Sequence, residues 1–294
     1  MAEQKVELRK IRDFGENLND TILFIRQNFK SLLTSFFCIA GIFMLTSAIL
    51  SGMYQSQFSS LFEDIFNRKN QRTTSPVAMF NGTYFLVLVF AWLNYVAMQV
   101  SVISYIKIYD AKGEETPAIA EVWNVFKRYF FKVFLYSIPI ALLIVVGFFL
   151  CLAPGVYLAV VFAQFSVVLI MEDETFGGAY LRCFKLIREN FWISLVIYFL
   201  TYLIAVFSGS IISLIVGSIT ALISYFTTRN INATVGIVAS ILDIFAFIFY
   251  IVYYVAICLH YFNLAEKYDG TGMMRKLDSI GDNEQNFDNT QEQY

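Results

Sequence analysis

Of the 294 residues, 58% are hydrophobic and 15% are charged, whereas soluble domains carry roughly a quarter charged residues. A net charge of −2 and a pI near 5.5 leave no bulk basic surface of the kind that binds nucleic acid. The mean hydropathy of +0.61 comes from apolar blocks of bilayer length, which predicts an all-α, polytopic membrane helical bundle.

The first 20 residues carry Lys5, Arg9, Lys10 and Arg12 among acids, without the apolar stretch of a secretory leader. Residues 1–30 read as a cytoplasmic amphipathic segment. Nothing ionises from Ser31 to Phe62, and 31–53 reads as the first span, at the ~20 apolar residues that a bilayer core of about 30 Å requires. Residues 56–67 follow as an amphipathic outer helix, with Phe58, Leu61, Phe62, Ile65 and Phe66 on its apolar face. The second span falls at 83–106. From Val133 to Met171 there are no Asp, Glu, Lys or Arg residues, a stretch of twice the spanning length interrupted by Ala153-Pro154-Gly155. Proline disfavours helix for the residue before it and glycine permits a turn, so Pro154 and Gly155 read as a hairpin turn between spans at 132–152 and 155–172. The fifth span is predicted at 191–216 and the sixth at 235–262, which completes a transmembrane domain over 31–265. Residues 266–294 form a polar cytoplasmic tail, acidic and disordered towards the end.

Basic residues set the orientation. With the N-terminus inside, 17 of the 21 Lys and Arg fall on inner segments, and Arg68, Lys69, Arg72 and Arg229 lie outside. Such a bias fixes topology, so both termini are predicted to be cytoplasmic.

Three segments share a pattern: Phe24-Ile25-Arg26-Gln27-Asn28-Phe29, Val125-Phe126-Lys127-Arg128-Tyr129-Phe130 and Leu186-Ile187-Arg188-Glu189-Asn190-Phe191. Each runs into a span and follows amphipathic sequence, the signature of a helix in the headgroup plane. They suggest three repeats of an interfacial helix plus a transmembrane hairpin, although any inward-starting hairpin carries basic and aromatic residues at its inner edge. Arg26, Phe29, Lys127, Phe130, Arg188, Phe191 and Trp192 are the interfacial basic-aromatic residues. Their expected partners are membrane lipids with anionic headgroups on the cytoplasmic face.

Asp243 is the one Asp, Glu, Lys or Arg inside a predicted span. Intramembrane acids are costly and mark ion paths or helix contacts, but this one lies near the outer end of its helix, where a structural role also fits. Asn94, Gln99 and Gln164 read as interhelical hydrogen-bonding groups; joined with Asp243 they would form an intramembrane polar site. His260 is the single histidine and reads as an interfacial hydrogen-bonding group. Gly209, Ser213 and Gly217 recur every fourth residue, a spacing that lets helices approach closely, within the chain or with a membrane protein partner or second copy. Cys38, Cys151, Cys183 and Cys258 lie too far apart in sequence for a disulfide or metal framework. Nothing pairs a nucleophile with a base, so no catalytic residue, cofactor or metal is predicted.

Leu152-Ala153-Pro154-Gly155-Val156-Tyr157-Leu158, Ile170-Met171-Glu172 and the run from Ala179 to Trp192 resemble the membrane domain attached to some bacterial glycerophosphoryl diester phosphodiesterases. Related stand-alone multi-span proteins share the pattern. The specific likeness covers 150–195, and the rest is one of layout. By position, Pro154 and Gly155 match that family's hairpin turn, Glu172 its inner-edge acid, and Arg182, Arg188, Phe191 and Trp192 its entry to the next span. The resemblance implies a bacterial inner (cytoplasmic) membrane. It does not imply phosphodiesterase activity, which resides in a separate soluble barrel for which this chain has no room. The expected role is a non-enzymatic scaffold, lipid-organising or partner-binding; the alternative is a transporter or channel for a small or lipid-like substrate.

Overall fold

The computed structural model describes residues 5–66, 77, 80–113, 115–228 and 240–270. Among these residues the chain is helical without strands, and six helices are long and apolar enough to cross a membrane. The protein is an all-α bundle of six apolar helices, a multi-pass architecture.

The first helix, α1 (Phe14–Phe66), is 53 residues long, roughly 80 Å at 1.5 Å per residue. The predicted N-terminal interfacial helix, the first span and the predicted outer helix are therefore one continuous helix. No proline interrupts it, and its first turns are packed on protein along one side, where Phe24 is fully buried and meets Tyr109 edge-on at 5.1 Å, while Phe14 and Ile22 are exposed. The side chains of the predicted outer apolar face lie outside the described residues. Helix α2 (Gly82–Ala111) starts at Asn81, whose side chain accepts from the Tyr84 amide.

The second predicted interfacial helix likewise merges with its span, as α3 (Ile119–Leu150). The third stands apart as α6 (Phe176–Ile187), separated from α7 (Phe191–Thr228) by a break at 188–190. Its N-terminus is capped by Thr175, which accepts from the Gly178 amide. An amphipathic pattern fits a helix on lipid and a helix extension packed on protein equally well, which is why the first two copies were not separable from their spans in sequence.

The hairpin after α3 turns earlier than predicted, at Cys151, three residues before Pro154, where the backbone is extended. Pro154 and Gly155 lie in the first turns of α4 (Leu152–Ala163). The first turn of a helix is where proline is tolerated, because its missing N–H would have had no intrahelical acceptor. Proline here marks the start of the returning helix. Gly155 has a separate role, because it lies against the end of α3: a Cβ there would come within 2.5 Å of the Phe148 ring and 2.8 Å of the Phe148 amide nitrogen.

The fourth span is broken at Gln164 and continues as α5 (Phe165–Met171). The sixth begins as helix at Ser240, tightens to a 3-10 segment over Asp243–Phe249, and resumes as α8 (Tyr250–Asp269). α8 packs against α1, α2, α5, α6 and α7, and every residue from Tyr254 to Leu264 is buried. By contrast, α3 and α7 bury only 17% of their most apolar windows inside the protein, against 61% for the fourth span. They are the peripheral helices. α1, α2, the broken fourth span and α8 surround the core.

Candidate functional site

Polar chemistry concentrates in two places: a collar of ion pairs at one end of the bundle, here the basic end, and a buried cluster one layer deeper.

The collar draws on the start of the chain, the ends of α2, α5 and α8, the start of α3, and α6. Arg9 pairs with Asp110 at 2.8 Å; that hydrogen bond, partly offset by burial, raises the guanidinium's pKa. The Arg12 side chain has no exposed surface. It donates from Nε to Asp20 at 2.8 Å and from Nη1 to the Leu8 carbonyl at 2.8 Å. Asn263 of α8 clamps the backbone of Arg12 from both sides. Its Oδ1 accepts from the Arg12 amide at 2.9 Å and its Nδ2 donates to the Arg12 carbonyl at 3.0 Å. The segment before α1 is thereby tied under the bundle, with Val6 and Leu8 buried, although 1–30 reads in sequence as a separate cytoplasmic segment.

Across the collar, Arg182 donates to Glu172 at 3.0 Å and to Asp269, and the Tyr261 hydroxyl donates to Glu172 at 2.8 Å. Burial opposes the charge on Arg182, but the bonds to Asp269 and Glu172 outweigh it and its pKa is raised. Asp173 receives the Tyr129 hydroxyl, Arg128 at 3.1 Å and Lys107 at 3.6 Å. The tyrosine bond, reinforced by the two cations, holds the Asp173 carboxyl below its usual range. Asp173 also has a φ of 57°, in the left-handed region that Asn and Asp enter more readily than other side chains.

The deeper cluster lies at the break in the fourth span. There Gln164 Nε2 donates to the Tyr198 hydroxyl of α7 and, at 3.2 Å, to the Ile257 carbonyl of α8. Ser194 Oγ and His260 Nε2 lie 2.8 Å apart, and the Tyr198 ring stands edge-on to the imidazole at 5.5 Å. All four residues are buried, and Gln164 Oε1 and His260 Nδ1 have no hydrogen-bond partner among the described residues.

The predicted intramembrane set divides. Gln99 accepts from Ser166 at 3.1 Å, so it bonds α5 to α2. Gln164 turns instead to α7 and α8. Asn94 is 1% exposed, with its Oδ1 unpartnered among the described residues. Asp243 opens the 3-10 segment; its side chain lies outside the described residues. Of the small residues, Gly209 packs on Ala246, where a Cβ would meet the carbonyl oxygen at 3.4 Å, while a Cβ on Gly217 would meet nothing within 4 Å. Gly209 and Ser213 line an open groove of about 500 Å³ between α7 and the 3-10 segment.

Among the interfacial residues, Arg26, Phe29, Lys127, Arg188 and Trp192 are exposed and Phe191 is half-buried against Tyr157. Phe130 is different. It is 4% exposed and packs on Phe43 and Phe126, each at 4.9 Å, so it anchors α3 to α1; Phe131, 72% exposed, faces outward in its place.

Sequence reasoning missed Arg12, Asn263, Tyr198 and Ser194. One signal was available: His260 and Asn263 are polar side chains at the end of an apolar span, where such groups need hydrogen-bond partners. The chain matches no model of a known protein family, no curated protein and no solved structure. The likeness over 150–195 therefore rests on the quoted residues alone.

Proposed function

We propose that the protein is a non-enzymatic membrane protein that organises anionic lipid around its basic end, in a bacterial inner membrane with that end and both termini in the cytoplasm. The observation that carries this reading is the sorting of charge at the collar. Asp20, Asp110, Glu172, Asp173 and Asp269 are engaged by Arg12, Arg9, Arg182, Lys107 and Arg128. Lys30, Lys127, Lys132, Lys185 and Arg188 lie exposed and form no ion pair among the described residues. Beside them stand exposed Phe29, Trp123, Phe131 and Trp192. Outward cations between aromatic rings at one end of an apolar bundle suit an interface with anionic headgroups, each cation contributing about 1 kcal/mol near such a surface.

The test is lipid retention. The protein is reconstituted with equal amounts of phosphatidylglycerol and phosphatidylcholine, extracted gently, and weighed by native mass spectrometry. Phosphatidylglycerol should be retained preferentially, and the preference should shrink when Lys127, Lys185 and Arg188 are changed together to glutamine. Equal retention of the two lipids by the wild type would refute the reading.

A transport reading draws on the broken fourth span. Interrupted helices with buried polar groups line substrate sites in transporters, and Gln164 and His260 supply such groups. Labelling of a cysteine placed at Ser194, in a background without the native cysteines, by a membrane-impermeant thiol reagent from both faces would favour it. A residue unreactive from both faces would count against it.

A further inference from the structure

We infer that the hairpin of α3 and α4 does not cross the membrane: it enters from the basic end and turns back inside the hydrocarbon, with acyl chains as the partner of its tip. The membrane and its orientation are those of the lipid reading above, on which the inference rests; the headgroup preference is not used.

The tip has the chemistry of a lipid contact. From Ile138 to Ala163 there is no charged or amide side chain, and Tyr157 carries the one hydroxyl. The side chains around the turn are large and uncovered: Phe149 is 87%, Leu150 78% and Leu152 71% exposed. By contrast, the two connections assigned to the far side carry Arg68, Lys69, Arg72 and Arg229 in sequence. Backbone in hydrocarbon has to satisfy its own polar groups, and lipid-exposed irregular loops do not occur there. This turn meets that condition with a single non-helical residue, Cys151. The Cys151 amide donates to the Gly147 carbonyl at 3.1 Å, and the Cys151 carbonyl accepts from the Gly155 amide at 3.4 Å. Pro154 has no N–H, so the first turn of α4 has one amide fewer to satisfy.

The contacts of α4 set the depth. α7 starts at the basic end, where Asn190 accepts from Lys267 at 3.4 Å. It then climbs along the sixth span, as Ser194 meets His260, Tyr202 meets Tyr253 and Gly209 meets Ala246. Gln164 bonds to Tyr198, whereas Tyr157 packs on Phe191 at 5.3 Å and on Phe184 of α6 at 6.2 Å. Followed from Gln164 towards its tip, α4 therefore moves back towards the basic end. An upright helix would carry Tyr157 past Tyr198 in the opposite direction. From Glu172 at the collar, α5 raises the chain to Gln164 by about 12 Å. α4 would then need nearly all of its remaining length, about 19 Å, to reach the far side of a core of about 30 Å. An oblique α4 stops short, and α6 supports it: Phe162 lies 5.2 Å from Tyr180 and 5.6 Å from Phe184. Of the six apolar helices four then cross, which keeps both termini on one face. The hairpin displaces acyl chains while the rim cations hold headgroups, so the two features act on opposite ends of the same lipids.

The test is the depth of Cys151, an exposed native cysteine, in the full chain carrying Cys38→Ala; Cys183 and Cys258 are buried. A nitroxide is attached and the protein is reconstituted in phosphatidylcholine vesicles, so that no anionic lipid enters the measurement. Collision of the label with oxygen, which partitions into hydrocarbon, is compared with collision with a water-soluble nickel chelate. Gly82→Cys at the far end of α2 and Lys185→Cys at the basic end, each with Cys38→Ala and Cys151→Ala, mark the two boundaries; a Cβ at Gly82 meets nothing within 4 Å. The oxygen-to-nickel ratio at Cys151 should exceed both references severalfold. A ratio equal to that of Gly82→Cys would put the tip in far-side water and overturn the inference. Shielding from both reagents would put protein against the tip and overturn it as well. Leu150→Lys needs no label. In water a cation in the last turn of α3 favours the helix dipole, but at an embedded tip it should cut accumulation severalfold; accumulation at the wild-type level would overturn the embedded tip. None of these outcomes depends on lipid charge, so a failed retention test and a failed depth test are told apart.

Discussion

Gly155→Ala tests the hairpin geometry most directly. The methyl group would sit 2.5 Å from two ring carbons of Phe148 and 2.8 Å from its backbone nitrogen. The ring can rotate away, but the nitrogen belongs to α3 and yields only if the two helices separate. Overpacking of this kind costs about 1–3 kcal/mol. The clash against backbone places this substitution in the upper part of that range, about 2–3 kcal/mol; alanine in a helix gains up to about 1 kcal/mol over glycine, which leaves a net loss of about 1–2 kcal/mol. Gly147→Ala is milder, because its methyl would lie 3.0 Å from the movable Leu158 side chain and 3.1 Å from the Gly155 Cα. The two glycines touch, so the double variant should not be additive. Pro154→Ala should change stability by less than either, because α4 requires no amide donor at that position. The assay is reversible unfolding in mixed micelles, compared by midpoint at constant slope. A Gly155→Ala protein as stable as wild type, or one less affected than Pro154→Ala, would refute the close-contact reasoning and return the turn to Pro154.

Asn263→Leu should destabilise by about 1–3 kcal/mol, since it removes both partners of the Arg12 backbone and leaves them buried; exposure of the N-terminal segment to protease under native conditions is the readout. Ser194→Ala takes away the hydrogen-bond partner of His260 Nε2 and should cost about 0.6–1.7 kcal/mol, the range for hydrogen bonds inside membranes, measured by the same unfolding series. The Asp173 carboxyl has a depressed pKa in the folded state, so its contribution is complete above its unfolded value near 3.9 and is lost as pH falls through the lower folded value. Asp173→Asn should therefore flatten the acid limb of the stability profile below about pH 4 and keep the left-handed backbone. A chain ending at residue 239 should fail to accumulate, because it lacks α8.

The span count was legible because every span but the sixth, which carries Asp243, is built on a charge-free block, and the physics of the bilayer writes that signal locally. The turn at Cys151 was not: the sequence cue, Pro154, is as compatible with the first turn of a helix as with the loop before it. Nor was the burial of Phe130 against the exposure of Phe131, since neighbouring aromatics at the membrane edge differ only in which helix stands opposite. Charge marked the segments that gather at the basic end but not their partners. Arg12 and Asn263 are 251 positions apart, and no local pattern links them. The buried cluster was half legible. Gln164 and His260 each read as polar groups in need of a partner, but only packing shows that Tyr198 and Ser194 supply them.

The placement of α8 explains why the charges sort as they do. It is the last helix in the described chain, and its basic-end residues each hold a different element: Asn263 the segment before α1, Tyr261 the end of the fourth span through Glu172, and Asp269 the amphipathic α6 through Arg182. Asn263 and Tyr261 lie in the stretch of α8 that is buried throughout and cannot be left to water, so their partners are drawn inward with them; Asp269, past that stretch, keeps part of its surface exposed. Arg12 accordingly loses all side-chain exposure, and Arg182 keeps 17%. Cations on the outer faces of α1, α3 and α6 have no helix beyond them to supply an acid, and the exposed Lys30, Lys127 and Lys185 are the consequence. The positive rim is thus a geometric product of a central last helix: acids cluster where elements converge on it, and cations without an ion pair among the described residues remain on outward faces where no helix stands opposite.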